Sequence, residues 1–116
     1  MGRNRDRLGI VAAILDVTNS GASKTKIMYG ANLSFSLLEK YLKLVESSDL
    51  IEKDVNRLYH LTDKGRDFLN AYKRFYDRYD SASKLLSSLA FERQRLSKLC
   101  KDDLDADETE YLMDAE

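Results

Sequence analysis

Residues 33–65 read LSFSLLEKYLKLVESSDLIEKDVNRLYHLTDKG, and their hydrophobic spacing changes period midway. The first half spaces its apolar side chains by three and four residues, as in a helix with one buried face (Leu38, Tyr41, Leu42 and Val45). The second half has two short β-prone runs on either side of the turn-forming residues 54–56. This stretch therefore predicts a helix over about 35–48 and a small hairpin over 50–61.

Two helices are predicted before this stretch and a long one after it. The first covers about 4–19 and has Leu8, Val11, Ala12 and Leu15 on one face. Gly21 suits the left-handed residue that ends such a helix, and a short helix follows over about 24–30. Thr62 is placed to cap a long helix that begins near Asp63.

This order of elements is that of a winged helix-turn-helix, so we predict a mainly α, small α+β fold with the winged domain over residues 4–66. Its third helix fits the major groove of duplex DNA, and its hairpin reaches the neighbouring backbone. The basic residues predicted to contact phosphate are Lys24, Lys26, Lys40, Lys43, Lys53 and Arg57. The candidates for base edges are Ser34, Phe35, Ser36 and Lys40, and those for a minor-groove arm are Arg3, Arg5 and Arg7. Phe35 can instead lie partly in the core rather than stack on a base.

A heptad pattern runs through the long helix, where apolar spacing alternates between four and three from Phe68 to Cys100. The residues assigned to this dimerisation seam are Tyr72, Phe75, Tyr79, Ala82, Leu86, Leu89, Arg93 and Leu96. The long dimerisation helix is assigned to residues 63–101. From 63 to 100 it is about 57 Å long, which is more than one small domain covers, so a second copy is the predicted partner. An antiparallel pair matches the whole seam if Arg93 faces Phe75, and a register one heptad along is also possible.

Three strings of the sequence carry a family resemblance: KTKIMYGANLS at 24–34, YHLTDKG at 59–65, and the pair Leu50-Ile51. They resemble archaeal winged-helix DNA-binding proteins, and most closely the ten-kilodalton archaeal chromatin-protein type. The resemblance covers about residues 4–100 and implies a DNA-binding dimer joined by an antiparallel coiled coil. One departure is Asp49, which stands where that family usually has glycine. Another is the C-terminal tail.

The net charge of −1 conceals an uneven distribution along the chain. Residues 102–116 carry eight acids and no base, which leaves nineteen bases against twelve acids in residues 1–101. A basic body suggests binding to a polyanion, and an acidic tail can occupy or tune such a surface. The charged residues can also simply solvate a helical surface.

Several classes of function are disfavoured by the composition of the 116 residues. No apolar run approaches the length of a membrane span, and no signal peptide is recognised, so a cytoplasmic, nucleoid-associated protein is expected. A single cysteine, Cys100, and a single histidine, His60, make a disulfide framework, a metal site or a catalytic triad hard to build. We expect no enzyme, cofactor or small-molecule ligand, and a structural role for His60.

The predicted function is binding of double-stranded DNA by a homodimer, as a transcriptional regulator or a chromatin protein. The alternative is a protein-interaction adaptor that uses the same fold without DNA. Binding to DNA weakens steeply as salt rises, and this separates the two.

Overall fold

The computed structural model describes residues 5–100 and contains four helices and two strands in that range. In chain order they are α1 (Arg7–Thr18), α2 (Lys24–Gly30), α3 (Phe35–Ser47), β1 (Ile51–Lys53), β2 (Tyr59–Leu61) and α4 (Asp63–Cys100). The two strands pair antiparallel, with Ile51 opposite Leu61. The predicted fold class, a winged helix-turn-helix followed by a long C-terminal helix, is confirmed. Arg3 and the acidic segment 102–116 lie outside the described residues.

The starts of the first three helices are fixed by short polar side chains. Asp6, Ser23 and Ser34 have extended backbone, and each accepts a hydrogen bond from an amide three residues later. Such caps satisfy amides that have no partner within the helix. Because Asp6 is the cap, α1 begins at Arg7 rather than at the predicted residue 4.

The core lies between the first three helices and the hairpin. Its largest fully buried side chains are Ile14, Leu15, Thr18, Ile27, Leu38 and Val45. The predicted buried face of α3 is confirmed, since all four of its apolar residues are buried. The prediction for Leu8 was wrong, because its side chain is 47% exposed. α1 is apolar on nearly every side, so its sequence pattern does not mark a single buried face.

Side chains at the start of α4 bind the backbone at the end of α3. Asp49 ends α3 with a φ of +61°, the left-handed conformation that the family pattern gives to glycine. Thr62 donates its hydroxyl to the carbonyl of Asp49 at 2.6 Å and accepts the amide of Gly65 at 2.9 Å. Lys64 donates to the carbonyl of Ser48 at 2.9 Å. The string LTDKG is thus the joint that fixes the first turn of α4 on the end of α3.

The first turns of α4 pack on the same chain. Leu69 is buried, and Phe68 and Tyr72 lie partly buried against the core. Lys73 pairs with Asp16 of α1 at 3.3 Å. Tyr72, which the sequence assigned to the seam, therefore contacts the core of its own chain.

Of the described residues, 5–75 form one compact unit and 76–100 form a second. Within the second unit, α4 exposes most of its large apolar side chains: Tyr79, Leu85, Leu86, Leu89, Phe91, Leu96 and Leu99. No helix within residues 5–100 is both long enough and apolar enough to cross a bilayer.

Candidate nucleic-acid interface

The outward side of α3 carries the side chains predicted to meet DNA. Phe35, Ser36, Lys40 and Lys43 are all exposed. Ser34 is exposed as well, but its hydroxyl oxygen accepts the amide of Leu37 at 3.3 Å and serves as the helix cap. The cap leaves the hydroxyl proton and one lone pair of Ser34 for a base edge.

An exposed aromatic side chain stands at the start of α3. Phe35 is 62% exposed, so the alternative that it belongs to the core is wrong. Lys24 places its ammonium group 5.5 Å from the centroid of the Phe35 ring and also forms an ion pair with Glu39. The hydrogen bond with Glu39 raises the pKa of Lys24 above its usual 10.5. Part of the positive charge predicted for this surface is therefore neutralised by Glu39, which sequence reasoning did not include.

A shallow groove of about 270 Å³ runs between the start of α1 and the C-terminal half of α3. Its lining residues are Arg7, Lys40, Tyr41, Lys43, Leu44 and Ser47. The ammonium group of Lys40 lies 5.6 Å from the centroid of the Tyr41 ring. Three bases and no acid line this groove, which gives it the chemistry to hold an anion such as a phosphate. The sequence placed Arg7 in a minor-groove arm, whereas the structure brings it beside the two lysines.

The turn of the hairpin is held by a single carboxylate. Asp54 accepts hydrogen bonds from the amides of Asn56 at 2.8 Å and Leu58 at 3.0 Å, and from Nε2 of His60 at 2.8 Å. These bonds lower the pKa of Asp54 below its usual 3.8, and the bond from the amide of Leu58 has the largest effect. His60 thus holds the hairpin turn, as expected of a structural residue. At the tip of the turn, Val55 is 96% exposed.

The two predicted bases of the hairpin differ in their surroundings. Lys53, in β1, places its ammonium group 5.7 Å from the centroid of the Tyr59 ring. Arg57 is exposed and has a φ of +65°, so it takes a left-handed conformation within the turn. Both bases remain available to a phosphate backbone beside the hairpin.

The two remaining predicted basic residues, Lys26 and Arg5, differ in their surroundings. Lys26 is exposed on α2. Arg5 donates to the carbonyl of Asn32 at 3.2 Å, across the turn between α2 and α3. Asn32 itself has a φ of +56°. Arg5 therefore supports the helix-turn-helix turn, and a role in a minor groove requires it to leave that carbonyl.

The described residues contain no group of three or more His, Cys, Asp or Glu side chains placed to hold a metal ion. Cys100 is exposed at the end of α4. The part of the chain that the structure describes thus offers exposed bases and an exposed aromatic ring as its candidate binding groups.

Comparison with solved structures places this arrangement among known folds. The chain is similar to Sso10a-2, a DNA-binding protein from Sulfolobus solfataricus, at 23% identity with a TM-score of 0.59. That match covers 73% of this chain and 96% of Sso10a-2. The chain is also similar to a variant of ZitR from Lactococcus lactis, at 20% identity with a TM-score of 0.55, over 96% of this chain and 82% of ZitR. The resemblance to an archaeal winged-helix protein is therefore confirmed at the level of the fold.

Sequence comparison gives the family. No curated protein matches the chain. A sequence model of the winged helix-turn-helix matches residues 4–91, which include all of the winged unit and most of α4. Because that match covers well over half of the chain, the protein belongs to the winged helix-turn-helix family.

Proposed function

We propose that the protein binds double-stranded DNA through α3 and the hairpin, as a transcriptional regulator or a chromatin protein acting at the nucleoid in the cytoplasm. The observation that carries this proposal is the groove in which Arg7, Lys40 and Lys43 converge from two helices. Three basic residues without an acid among them favour a polyanionic partner over a neutral one. The likeness in fold to Sso10a-2, which is a DNA-binding protein, supports the same function.

The exposed residues at the start of α3 complete the proposed contact. Phe35, Ser36 and Lys40 would face base edges if the N-terminal half of α3 enters the major groove. None of them is an Asn, Gln or Arg that reads a base with two hydrogen bonds. We therefore propose that phosphate contacts provide most of the affinity and that direct readout of sequence is modest.

The DNA-binding form that we propose is a homodimer joined by α4. Leu86, Leu89 and Leu96 are between 49% and 67% exposed in the single chain and follow the heptad spacing of the predicted seam. Pairing with a second copy buries them, and each buried leucine contributes about 1.5–3 kcal/mol of hydrophobic stabilisation. A dimer also presents two winged units to one duplex.

The salt dependence of binding to a random-sequence duplex tests this proposal. If each of the two groups of Arg7, Lys40 and Lys43 neutralises three phosphates, the logarithm of the association constant falls with the logarithm of salt with a slope of about −5. Replacing Lys40→Glu and Lys43→Glu together removes four of those six contacts, and binding is lost at moderate salt. Arg74→Glu, which alters an exposed base of α4 outside this surface, is the matched control and keeps the slope.

A protein-interaction adaptor is the second candidate function. It is favoured by Tyr29, Phe35 and Val55, whose apolar groups are at least 62% exposed, and by the ion pair between Lys24 and Glu39. If the protein is an adaptor, it should bind duplex DNA only weakly at low salt. Replacing Lys40→Glu and Lys43→Glu together should then leave that weak binding unchanged. Either result contradicts the DNA-binding proposal.

A further inference from the structure

The C-terminal third of α4 has a second surface that the proposed function does not use. Ser87, Ser88, Phe91, Arg95 and Lys98 follow one another at helical spacing on one side of α4, which we name the outer face. This side lies opposite the heptad seam that contains Leu89 and Leu96. Phe91 is 64% exposed at its centre, although a large aromatic side chain is stabilised by burial.

The outer face carries positive charge that no described side chain neutralises. Residues 81–101 contain five bases and one acid. Lys84 pairs with Asp80 at 3.1 Å, one turn before the outer face. Arg95 and Lys98 make no ion pair with any residue between 5 and 100. The outer face therefore combines an exposed aromatic ring with unpaired cations and has no acid of its own.

We propose that the acidic segment 102–116 of the same chain docks on the outer face of α4. The segment supplies eight carboxylates for Arg95 and Lys98, and the apolar run Tyr111-Leu112-Met113 supplies a partner for Phe91. Duplex DNA offers phosphates to the two cations but nothing apolar at its backbone for Phe91. The combination of charge and apolar complementarity thus selects the segment over DNA.

The other exposed aromatic ring near a cation is a poorer site for this segment. Phe35 lies beside Lys24, whose charge is already paired with Glu39. A carboxylate that approaches Phe35 is repelled by Glu39, whereas one that approaches Phe91 meets the cations Arg95 and Lys98, with a single acid, Glu92, at the edge of the face. The groove lined by Arg7 has three bases but no exposed large apolar side chain.

Chain length allows the contact within one molecule. Phe91 lies nine residues before the end of α4, which is about 14 Å along the helix. Tyr111 is eleven residues beyond Cys100, a reach of up to about 36 Å for an extended chain. A segment attached this close has an effective concentration in the millimolar range at the outer face, so weak contacts suffice for docking. Docking covers the two cations of the outer face and so keeps DNA from this surface.

A nitroxide label near the C-terminus tests the proposal in the full-length protein. Cys100→Ser removes the natural thiol, and Ala115→Cys accepts the label without removing any of the eight acids. In isotope-labelled protein at low salt, the amide signals of residues 87–98 should lose intensity while those of 35–47 keep it. The loss should disappear as salt is raised, because screening weakens the carboxylate contacts.

Three variants and one mixture complete the test. Arg95→Glu should restore the signals of the outer face, and Phe91→Ala should restore them in part, whereas the matched control Arg74→Glu should leave the loss unchanged. Mixing isotope-labelled protein without nitroxide and nitroxide-labelled protein without isotope should give no loss. Signal loss over 35–47, no loss at all, loss that survives Arg95→Glu, or loss in the mixture overturns the proposal.

Discussion

The α-carbon of Gly65 lies against the carbonyl oxygen of Leu50, so closely that a methyl group on Gly65 would overlap that oxygen. The methyl carbon would also lie 3.0 Å from the carbonyl carbon of Leu50 and 3.1 Å from Cδ2 of Leu61. The same oxygen accepts the amide of Thr62 at 3.1 Å, so it cannot move away without weakening a hydrogen bond. The first turn of α4 thus packs directly on the backbone between α3 and β1.

Replacing Gly65→Ala is expected to lower the free energy of unfolding by about 3 kcal/mol, because the added carbon meets backbone rather than a flexible side chain. Urea unfolding followed by circular dichroism measures the loss. Gly9→Ala is the control: its added carbon would lie 3.2 Å or more from its neighbours, and alanine favours the helix. Equal stabilities for Gly65→Ala and the natural chain would contradict the close packing at this joint.

The left-handed conformation of Asp49 predicts a stabilising substitution. At a φ of +61° a residue with a Cβ is strained, and Asp49 makes no side-chain hydrogen bond within residues 5–100 that glycine would lose. Asp49→Gly should raise the free energy of unfolding by about 1 kcal/mol, after allowance for the greater freedom of glycine in the unfolded chain.

The urea midpoint measures the gain from Asp49→Gly, with Asn32→Gly as the comparison. Asn32 has a φ of +56°, but asparagine tolerates this conformation better, so its gain should be smaller. A loss of stability in Asp49→Gly would mean that the aspartate side chain supports the end of α3.

The fold could be predicted from the sequence because its signals are local. Ser23 and Ser34 each cap a helix by accepting a hydrogen bond from the amide three residues later. The spacing of apolar residues in α3 marks one face of that helix for burial. Leu8 was misplaced because α1 is apolar all round, and only the packing of the other helices decides which side is buried. Asp49 stands where the resembled family usually has glycine, and its left-handed φ is a conformation that glycine adopts readily.

The candidate site was less predictable, because its main features join residues far apart in the chain. The exposure of Lys40 and Lys43 follows from the apolar face opposite them. The approach of Arg7 to these lysines requires the packing of α1 on α3. The ion pair of Lys24 with Glu39 likewise depends on the angle between α2 and α3, which no local pattern encodes.

The carboxylate of Asp54 predicts that the hairpin weakens in acid. Its pKa is lowered by the amide of Leu58 and by His60, so its contribution to stability is present above the usual pKa of 3.8. That contribution is lost as the pH falls through the lowered value in the folded protein. Asp54→Asn should reduce stability at neutral pH and should flatten the fall in stability below pH of about 4.

Urea unfolding at a series of pH values measures the effect of Asp54→Asn. The control is Asp67→Asn, which alters an exposed carboxylate of α4 that makes no hydrogen bond to another side chain in the described part of the protein. It should leave the dependence on pH nearly unchanged. Parallel curves for Asp54→Asn and the natural chain would show that the hydrogen bonds of Asp54 do not stabilise the folded state.

The orientation of the proposed dimer is open to a direct test with paired thiols. In an antiparallel pair with Arg93 opposite Phe75, Tyr79 of one chain faces Leu89 of the other. In the register one heptad along, Leu89 faces Leu86 instead. In a parallel pair each residue faces its own copy, and positions 79 and 89 are about 15 Å apart along the axis.

Tyr79→Cys, Leu86→Cys and Leu89→Cys, each combined with Cys100→Ser, are therefore expected to form disulfides in specific mixtures. Mild oxidation of the Tyr79→Cys and Leu89→Cys proteins together should give the mixed dimer by mass spectrometry. If the Leu86→Cys and Leu89→Cys mixture crosslinks instead, the dimer is antiparallel in the second register. A parallel dimer predicts a different result: each variant crosslinks fast to itself, and Cys100 of the natural chain also crosslinks fully. Only a parallel pair brings all of these identical positions within disulfide distance.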